Sequence, residues 1–414
     1  MFLHKKSAAG PFKRLKTALK LDFGGSAYDL RHSCNVERYG NGIISGFTQT
    51  EIPLPVLARQ VIATNGDVLY VMTDLGVYSV VNGVSTRLIN IVQPDLTTCT
   101  FRGSVLVSAR DMGIYFVSAT SSKSVYESGF DSLLVLNDRI FGMFSKEVRY
   151  TGAGQRDGWV NGEMIKTPTT CDALLAVDHK VYVLGDTCYV LTHDAEDIEF
   201  KFRVFAHNVG AVSRFSVVNY NGGAVFASSN GMYRLSSNKI TPIFEQLNDV
   251  VDLSKCVATF FDGKYYLSCR TKGSSEESND VTLILDVDTE EITGVLHDGY
   301  ESLVSSKSLI YATRNGRCYA IKKGVSDGRY VKSNVDFATS EKKFLDRLTV
   351  KTLSDLDVAI RSENETRLYK VKGKKSTQKI NLRDMGWVFS IELSSNDGLN
   401  VENLELFAHT CGEV

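Results

Sequence analysis

One stretch of the 414-residue chain sets a histidine among acids: THDAEDIEF, in which His193, Asp194 and Asp197 could hold a metal or pass a proton. No H-E-x-x-H, G-x-S-x-G or P-loop accompanies it, so hydrolytic and phosphate chemistry lack a motif. The run LDVDTEEITG brings Asp286, Asp288, Glu290 and Glu291 close together, and alternate carboxylates can converge on a hard cation. It lacks the residue order and central glycine of an EF-hand loop and reads as a hairpin tip with solvated charges. GAGQRDG, Gly152 to Gly158, is rich in glycine, yet no helical pattern follows whose N-terminus could hold a phosphate. MTDLGVYS and ARDMGIYF share only D-x-G and a following tyrosine with a sialidase-type box. Asp74 and Asp111 are therefore expected to bond their own local backbone in hairpin turns. The expectation is a chain with no catalytic residues, no metal and no cofactor.

Charge clusters are more informative. With 47 basic and 48 acidic residues the formal net charge is -1, so no global field favours nucleic acid or a lipid surface. RLYKVKGKKSTQKINLR, Arg367 to Arg383, nevertheless has seven basic residues and no acid. Lys370, Lys372 and Lys374 alternate, which in one strand puts them on one face, with Lys375 beside them. That is either an edge strand blunted by lysines or a patch for passing double-stranded DNA or an acidic neighbouring subunit. A second candidate surface is the basic N-terminal arm MFLHKKSAAGPFKRLKTALKL, which includes Lys13, Arg14 and Lys16 and has no acid before Asp22. Phe12, Leu15 and Leu19 fall at helical spacing, so residues 12 to 20 could form a short basic amphipathic helix; the readings are a frayed, solvated terminus, a docking arm onto a partner, or a membrane-surface or organelle-targeting helix, the last weakened because lysine supplies most of the charge. The arm lacks the apolar core of a secretory signal, and no apolar run is long enough to span a bilayer.

The elements that position these groups repeat. GDVLYVMTDLGVYSVVNGVSTRL, Gly66 to Leu88, alternates with period two around Gly76 and again around Asn82-Gly83, giving strand, turn, strand, turn, strand. GGAVFASSNGMYRLSSNKITPI, Gly222 to Ile243, is a near-copy. Weaker versions, such as SARDMGIYFV, FSKEVRYTG, LGDTCYVLT and TRNGRCYAI, put the turn position at 76, 113, 147, 187, 231, about 280 and 316. A period near 40 residues is that of propeller blades. One meander cannot cover its apolar face or protect its edges, whereas radial stacking of similar units does both. The sequence therefore predicts an all-β chain, a β-propeller of about seven blades, six to eight being allowed, over residues 22–328 with its lead-in strand. It lacks WD40 and kelch signatures.

A small β-sandwich is expected over residues 329–414, with strands at 345–351, 356–361, 366–372, 377–382, 386–393 and 400–408. Val358, Ile360, Trp387, Phe389, Ile391 and Leu393 should point inward. Eight scattered cysteines without C-x-x-C pairs read as reduced, packed thiols in a cytosolic setting.

The order of parts resembles the propeller-bearing tail proteins, nozzle or hub, of short-tailed bacteriophages. The likeness rests on LDFGGSAYDLRHSCNVERYGNGIISGF at residues 21 to 47 and on the degenerate G-x-Y hairpins. It rests also on the closing VKSNVDF, KKFLDRLTV and WVFSIELSSND. The resemblance implies a virion structural protein, assembled in the host cytoplasm and forming a ring, expected to be homo-hexameric, through which the genome passes. It further implies head-tail adaptor or portal proteins and tail fibres or a tailspike as partners. Nozzle proteins of this kind are often larger, so docking surfaces carried by their insertions are in doubt here. A non-viral intracellular propeller scaffold is the alternative, and a propeller enzyme comes third.

Overall fold

The computed structural model describes residues 15–22, 35–39, 42–44 and 46–411, apart from positions 94, 162, 163, 194–199, 237, 238, 297, 325, 326, 336, 338 and 364. It divides into two compact units. One comprises residues 49–291 and 296–322, and the other residues 1–48, 292–295 and 323–414.

The first unit is a seven-bladed propeller. Blade one is Ala58–Asn65, Val68–Thr73, Gly76–Val81 and Val84–Ile89. Blade two is Thr97–Phe101, Ser104–Ala109, Gly113–Val117 and Ser122–Tyr126. Ser132–Leu136, Arg139–Phe144, Glu147–Tyr150 and Met164–Lys166 form the third. Cys171–Val177, Lys180–Gly185, Thr187–His193 and Phe200–His207 form the fourth. The fifth holds Val218–Tyr220, Gly223–Ser228, Gly231–Ser236 and Lys239–Ile243. The sixth contributes Val251–Phe261, Lys264–Thr271 and Val281–Asp286 to this unit. In the seventh, Ser302–Ser305, Ile310–Arg314 and Arg317–Lys323 are completed by the much earlier strand Phe47–Ile52.

Period two and burial together explain the stacking. Along Val68–Thr73, Leu69 and Val71 enter the cluster shared with Cys318 of blade seven, while Tyr70 and Met72 enter the cluster shared with Val105 and Val107 of blade two. Both faces of a blade are therefore apolar. Hydroxyls on the first strands then latch neighbours: Val61 N donates to Ser302 Oγ (2.8 Å), Leu133 N to Thr97 Oγ1 (3.1 Å), Leu174 N to Ser132 Oγ (3.0 Å) and Ser305 N to Thr259 Oγ1 (3.1 Å). Each such bond satisfies a backbone donor that the blade junction would otherwise bury unpaired. Arg317 to Glu51 (3.0 Å), Tyr300 Oη to Gln49 Oε1 (2.9 Å) and Ala58 N to Gly316 O (2.8 Å) fasten the closing blade.

The second unit is a sandwich. Its first sheet runs Gly328–Val335, Phe389–Ser395, Leu356–Arg361, Thr366–Val371 in spatial order. Its other layer contains Val36–Tyr39, Gly42–Ile44, Asn400–Cys411, Lys343–Thr352 and Lys374–Gly386, with Leu15–Asp22 also paired to Asn400–Cys411. Leu345, Leu348, Val350, Val358, Ile360, Phe389, Ile391, Leu393, Leu404 and Leu406 fill the core.

Three expectations are corrected here. The boundary does not run at 22–328 and 329–414, because Val36–Tyr39 pairs with residues 294–295 and Gly42–Ile44 pairs with residues 400–401, both inside the sandwich unit. The lead-in thus belongs with the closing segment. Residues 15–22 form a strand rather than part of a helix over 12–20. So short a helix is marginal alone, and the Asn400–Cys411 strand offers it a ladder in register from Leu15↔Cys411 to Asp22↔Glu405. Trp387 is 47% exposed instead of inward, because it sits in the turn before Phe389–Ser395, where Glu363 accepts its N–H (2.9 Å).

Candidate functional site

The first strands of six blades, with Ser213 to Phe215 and Val217 ahead of that of blade five, converge on one cavity of about 940 Å³. Its wall mixes Gln60, Thr97, Ser132 and Ser302 with apolar Val61, Leu133, Leu174, Val257 and Leu303, the last five contributed by five different blades. At the end where those strands begin, the lining turns charged: Arg59, Asp95, Arg214, Lys255, Glu277 and Glu301. A shallower cavity of about 460 Å³ shares Asp95 and Arg214 and adds Arg110, Asp111, Asp131 and Asp172.

Arg214 joins the two. It lies in a 3-10 turn, Arg214–Ser216, ahead of blade five, and its side chain is 21% exposed. Its guanidinium donates to the Asp95 carbonyl from a loop 119 positions away and stands 3.7 Å from Asp131, which Arg110 also holds at 2.8 Å. Burial lowers the Arg214 pKa against the raising effect of Asp95 and Asp131. The Asp172 side chain reaches solvent, yet packing around its carboxyl and the nearby Asp186 and Asp131 push its pKa up, against Arg214. Acids outnumber bases here, and Asp111, Asp172 and Glu277 are exposed. Blade phase explains the clustering, since Asp95, Asp131, Asp172 and Glu301 sit where a first strand begins, and Asp111 and Glu277 lie in the connections that follow a second strand. None of these residues stands in a recognisable motif. The one sequence signal was their recurrence just ahead of the strands, which cannot be used until blade phase is known.

The residues singled out in sequence fare differently. His193 ends the strand Thr187–His193, and Asp194 and Asp197 lie outside the described residues. Asp286 accepts from Lys264 Nζ (2.6 Å) and from the N–H groups of Asp288 and Thr289 (3.1 Å each). Although burial works the other way, these donors hold its carboxyl below the ordinary value, as a hairpin tip demands. Among the described residues no cluster of His, Cys, Asp or Glu could hold a metal ion. After GAGQRDG comes one 3-10 turn, Gly158–Asn161, where no helix was expected. Its Trp159 is 1% exposed and packs on Phe130 with centroids 4.7 Å apart, so the loop serves a blade junction. Asp74 does not bond its own backbone as expected; it pairs with Arg59, while the Thr73 hydroxyl donates to Gly76 O (2.8 Å) and accepts from Leu75 N (3.2 Å). Cys171, Cys188, Cys256, Cys269 and Cys318 are buried, and burial pushes Cys188, Cys256 and Cys318 up to about 12.

In the sandwich, Lys370, Lys372, Lys374 and Lys375 are all exposed. They do not share one strand: Lys370 lies in Thr366–Val371, a turn takes Lys372 and Gly373, and Lys374 opens the next strand. The cause is local. Asp355 accepts from Lys372 Nζ (2.7 Å) and Gly373 N (2.8 Å), and a Cβ on Gly373 would come within 2.5 Å of Leu353 O. Asp355 raises the Lys372 pKa through that bond. Thr366–Val371 and Lys374–Gly386 each end their sheet's strand order. Lys13 and Arg14 lie outside the described residues, and Lys16 lies in the strand Leu15–Asp22.

No family model and no curated protein matches the chain. Solved structures do. The extracellular domain of a B. thetaiotaomicron protein designated a hybrid two component system has a TM-score of 0.50 and 12% identity, covering 90% of this chain and 59% of that one. The computationally designed Ika8 protein gives 0.42 and 9%, covering 66% of this chain and 99% of that one. A protein designated a gluconolactonase gives 0.41 and 10%, covering 68% and 93%. At such identities the likeness concerns the all-β, propeller-type fold and establishes no activity. This chain spans 59% of the two-component domain's length.

Proposed function

We propose that the chain is a non-enzymatic structural component of a short-tailed bacteriophage tail, a nozzle or hub working as a homo-oligomeric ring. In this reading it continues the portal and adaptor channel and carries fibres or a tailspike. The observation that supports it most is the pairing of two all-β modules. One is a propeller closed by its own early strand, the other a sandwich that ends in a basic strand edge. Among the described residues, metal-ligating clusters are lacking and five thiols are buried. The resemblance in the hairpins and closing segment implies function on surfaces between molecules. The test is mass measurement and negative-stain imaging of the purified chain with portal and adaptor proteins. Rings of about six around a channel are expected, and a chain that joins no such assembly overturns the reading.

The axial cavity of about 940 Å³ supports a second reading, a propeller that binds partners or a small polar ligand at its charged mouth. Capture of a ligand or peptide that is lost in the variant Arg214→Ala, without ring assembly, would favour that scaffold.

A further inference from the structure

Several arginines of this protein are answered locally: Arg59 by Asp74, Arg102 by Asp138, Arg110 by Asp131, Arg270 by Asp252, Arg329 and Arg361 by Glu392. The strand Lys374–Gly386 gathers cations of another kind. Lys374, Lys375, Lys379 and Arg383 are exposed along it with no ion-pair partner among the described residues, and Lys370 adds another from the neighbouring edge. Lys379 and Arg383, four residues apart, spread over about 13 Å at the usual rise of a strand. The strand ends its sheet order, so among the described residues no further strand covers its outer backbone groups. At the mouth of the propeller cavities the imbalance has the opposite sign. There Asp111, Asp172 and Glu277 are exposed and make no ion pair within 4 Å among the described residues, beside Asp95 and the shared Asp131, although Arg110, Arg214 and Lys255 stand near.

We propose that the basic edge of Lys374–Gly386 in one copy docks on the acid-rich cavity mouth of the propeller in a second copy. The two surfaces differ, so the contact is heterologous. Contacts of that kind close into rings when the rotation permits and otherwise run on as filaments. A row of lysines can also serve only to keep an edge from aggregating. That explanation accounts for the cations and leaves the exposed acids on the other unit without a role, whereas docking uses both. The inference deepens the ring reading and rests on it for closure alone, since head-to-tail association is measured on the isolated chain.

The experiment uses two charge-reversed variants of the full chain, with mass photometry and analytical ultracentrifugation at low and high salt. The edge variant carries Lys374→Glu, Lys375→Glu and Lys379→Glu; the mouth variant carries Asp111→Lys, Asp172→Lys and Glu277→Lys. All six positions are exposed, so thermal midpoints should match the parent. The parent is expected to associate at low salt and to fall apart as salt rises. Each variant alone should weaken association at least tenfold, and mixing the two should restore it, because each then meets its opposite charge. A parent that stays monomeric at low salt, or a mixture that stays as weak as its parts, overturns the docking. So does an edge variant that associates normally and instead loses binding to a labelled DNA duplex, which would make nucleic acid the partner. Failure to assemble with portal and adaptor, with the charge-swap result intact, would sink the tail reading and leave this contact standing.

Discussion

The hairpin of blade one and its near-copy in blade five turn at equivalent glycines, Gly76 with φ +121 and Gly231 with φ +124, but different neighbours press on them. A Cβ on Gly76 would lie 2.0 Å from the carbonyl oxygen of Ile89, part of its own blade's outer strand. On Gly231 it would lie 2.6 Å from Oδ1 of Asn248, a side chain that can swing away. The same letter in a repeat thus answers two demands, one conformational and shared, the other steric and local.

Graded substitutions separate the two demands. Gly76→Ala should be worst, at about 3 kcal/mol or more, because backbone strain adds to a collision that only main-chain movement relieves. Urea midpoints at constant m value would measure it. A loss no greater than at Gly231 would erase the distinction. Gly231→Ala should cost about 1–2 kcal/mol, and adding Asn248→Ala should recover part of that, which a double-mutant cycle reads directly. Next comes Thr73→Val, which removes the hydroxyl bridging Gly76 O and Leu75 N while keeping the shape, for about 1 kcal/mol. Smallest is Gly83→Ala, at φ +78 with no atom within 4 Å of the added Cβ, where conformational strain alone should cost roughly 1 kcal/mol or less. If Gly83→Ala proves as damaging as Gly76→Ala, crowding is not what sets the blade-one turn apart.

Turn chemistry made the blades legible. The positions read as 76, 113, 147, 187, 231, about 280 and 316 fall within a residue of the starts of Gly76–Val81, Gly113–Val117, Glu147–Tyr150, Thr187–His193, Gly231–Ser236, Val281–Asp286 and Arg317–Lys323. A positive-φ turn and period-two burial are local properties, so they leave a local trace. Partner choice leaves none. Nothing inside Phe47–Ile52 says that it completes a blade whose other strands begin at Ser302, and nothing inside Val36–Tyr39 says that it pairs near Gly294. The charged mouth was hidden for the same reason: Asp95, Asp131 and Arg214 are single loop residues until the ring brings them together. The lysine cluster, being contiguous, was visible, but the turn at Gly373 that splits it was not, because Asp355 decides it from 18 positions away.

Glu51 and Arg317, which face each other in the closing blade, are 266 positions apart in the chain. At synthesis rates of about 5–20 residues per second, the early strand leaves the ribosome roughly 10–50 s before its partners exist. During that interval a growing stack of blades has an open flank and the strand has no sheet to join. Synthesis rate and holding factors in the cell should therefore matter more to the yield of this protein than the stability of any one blade.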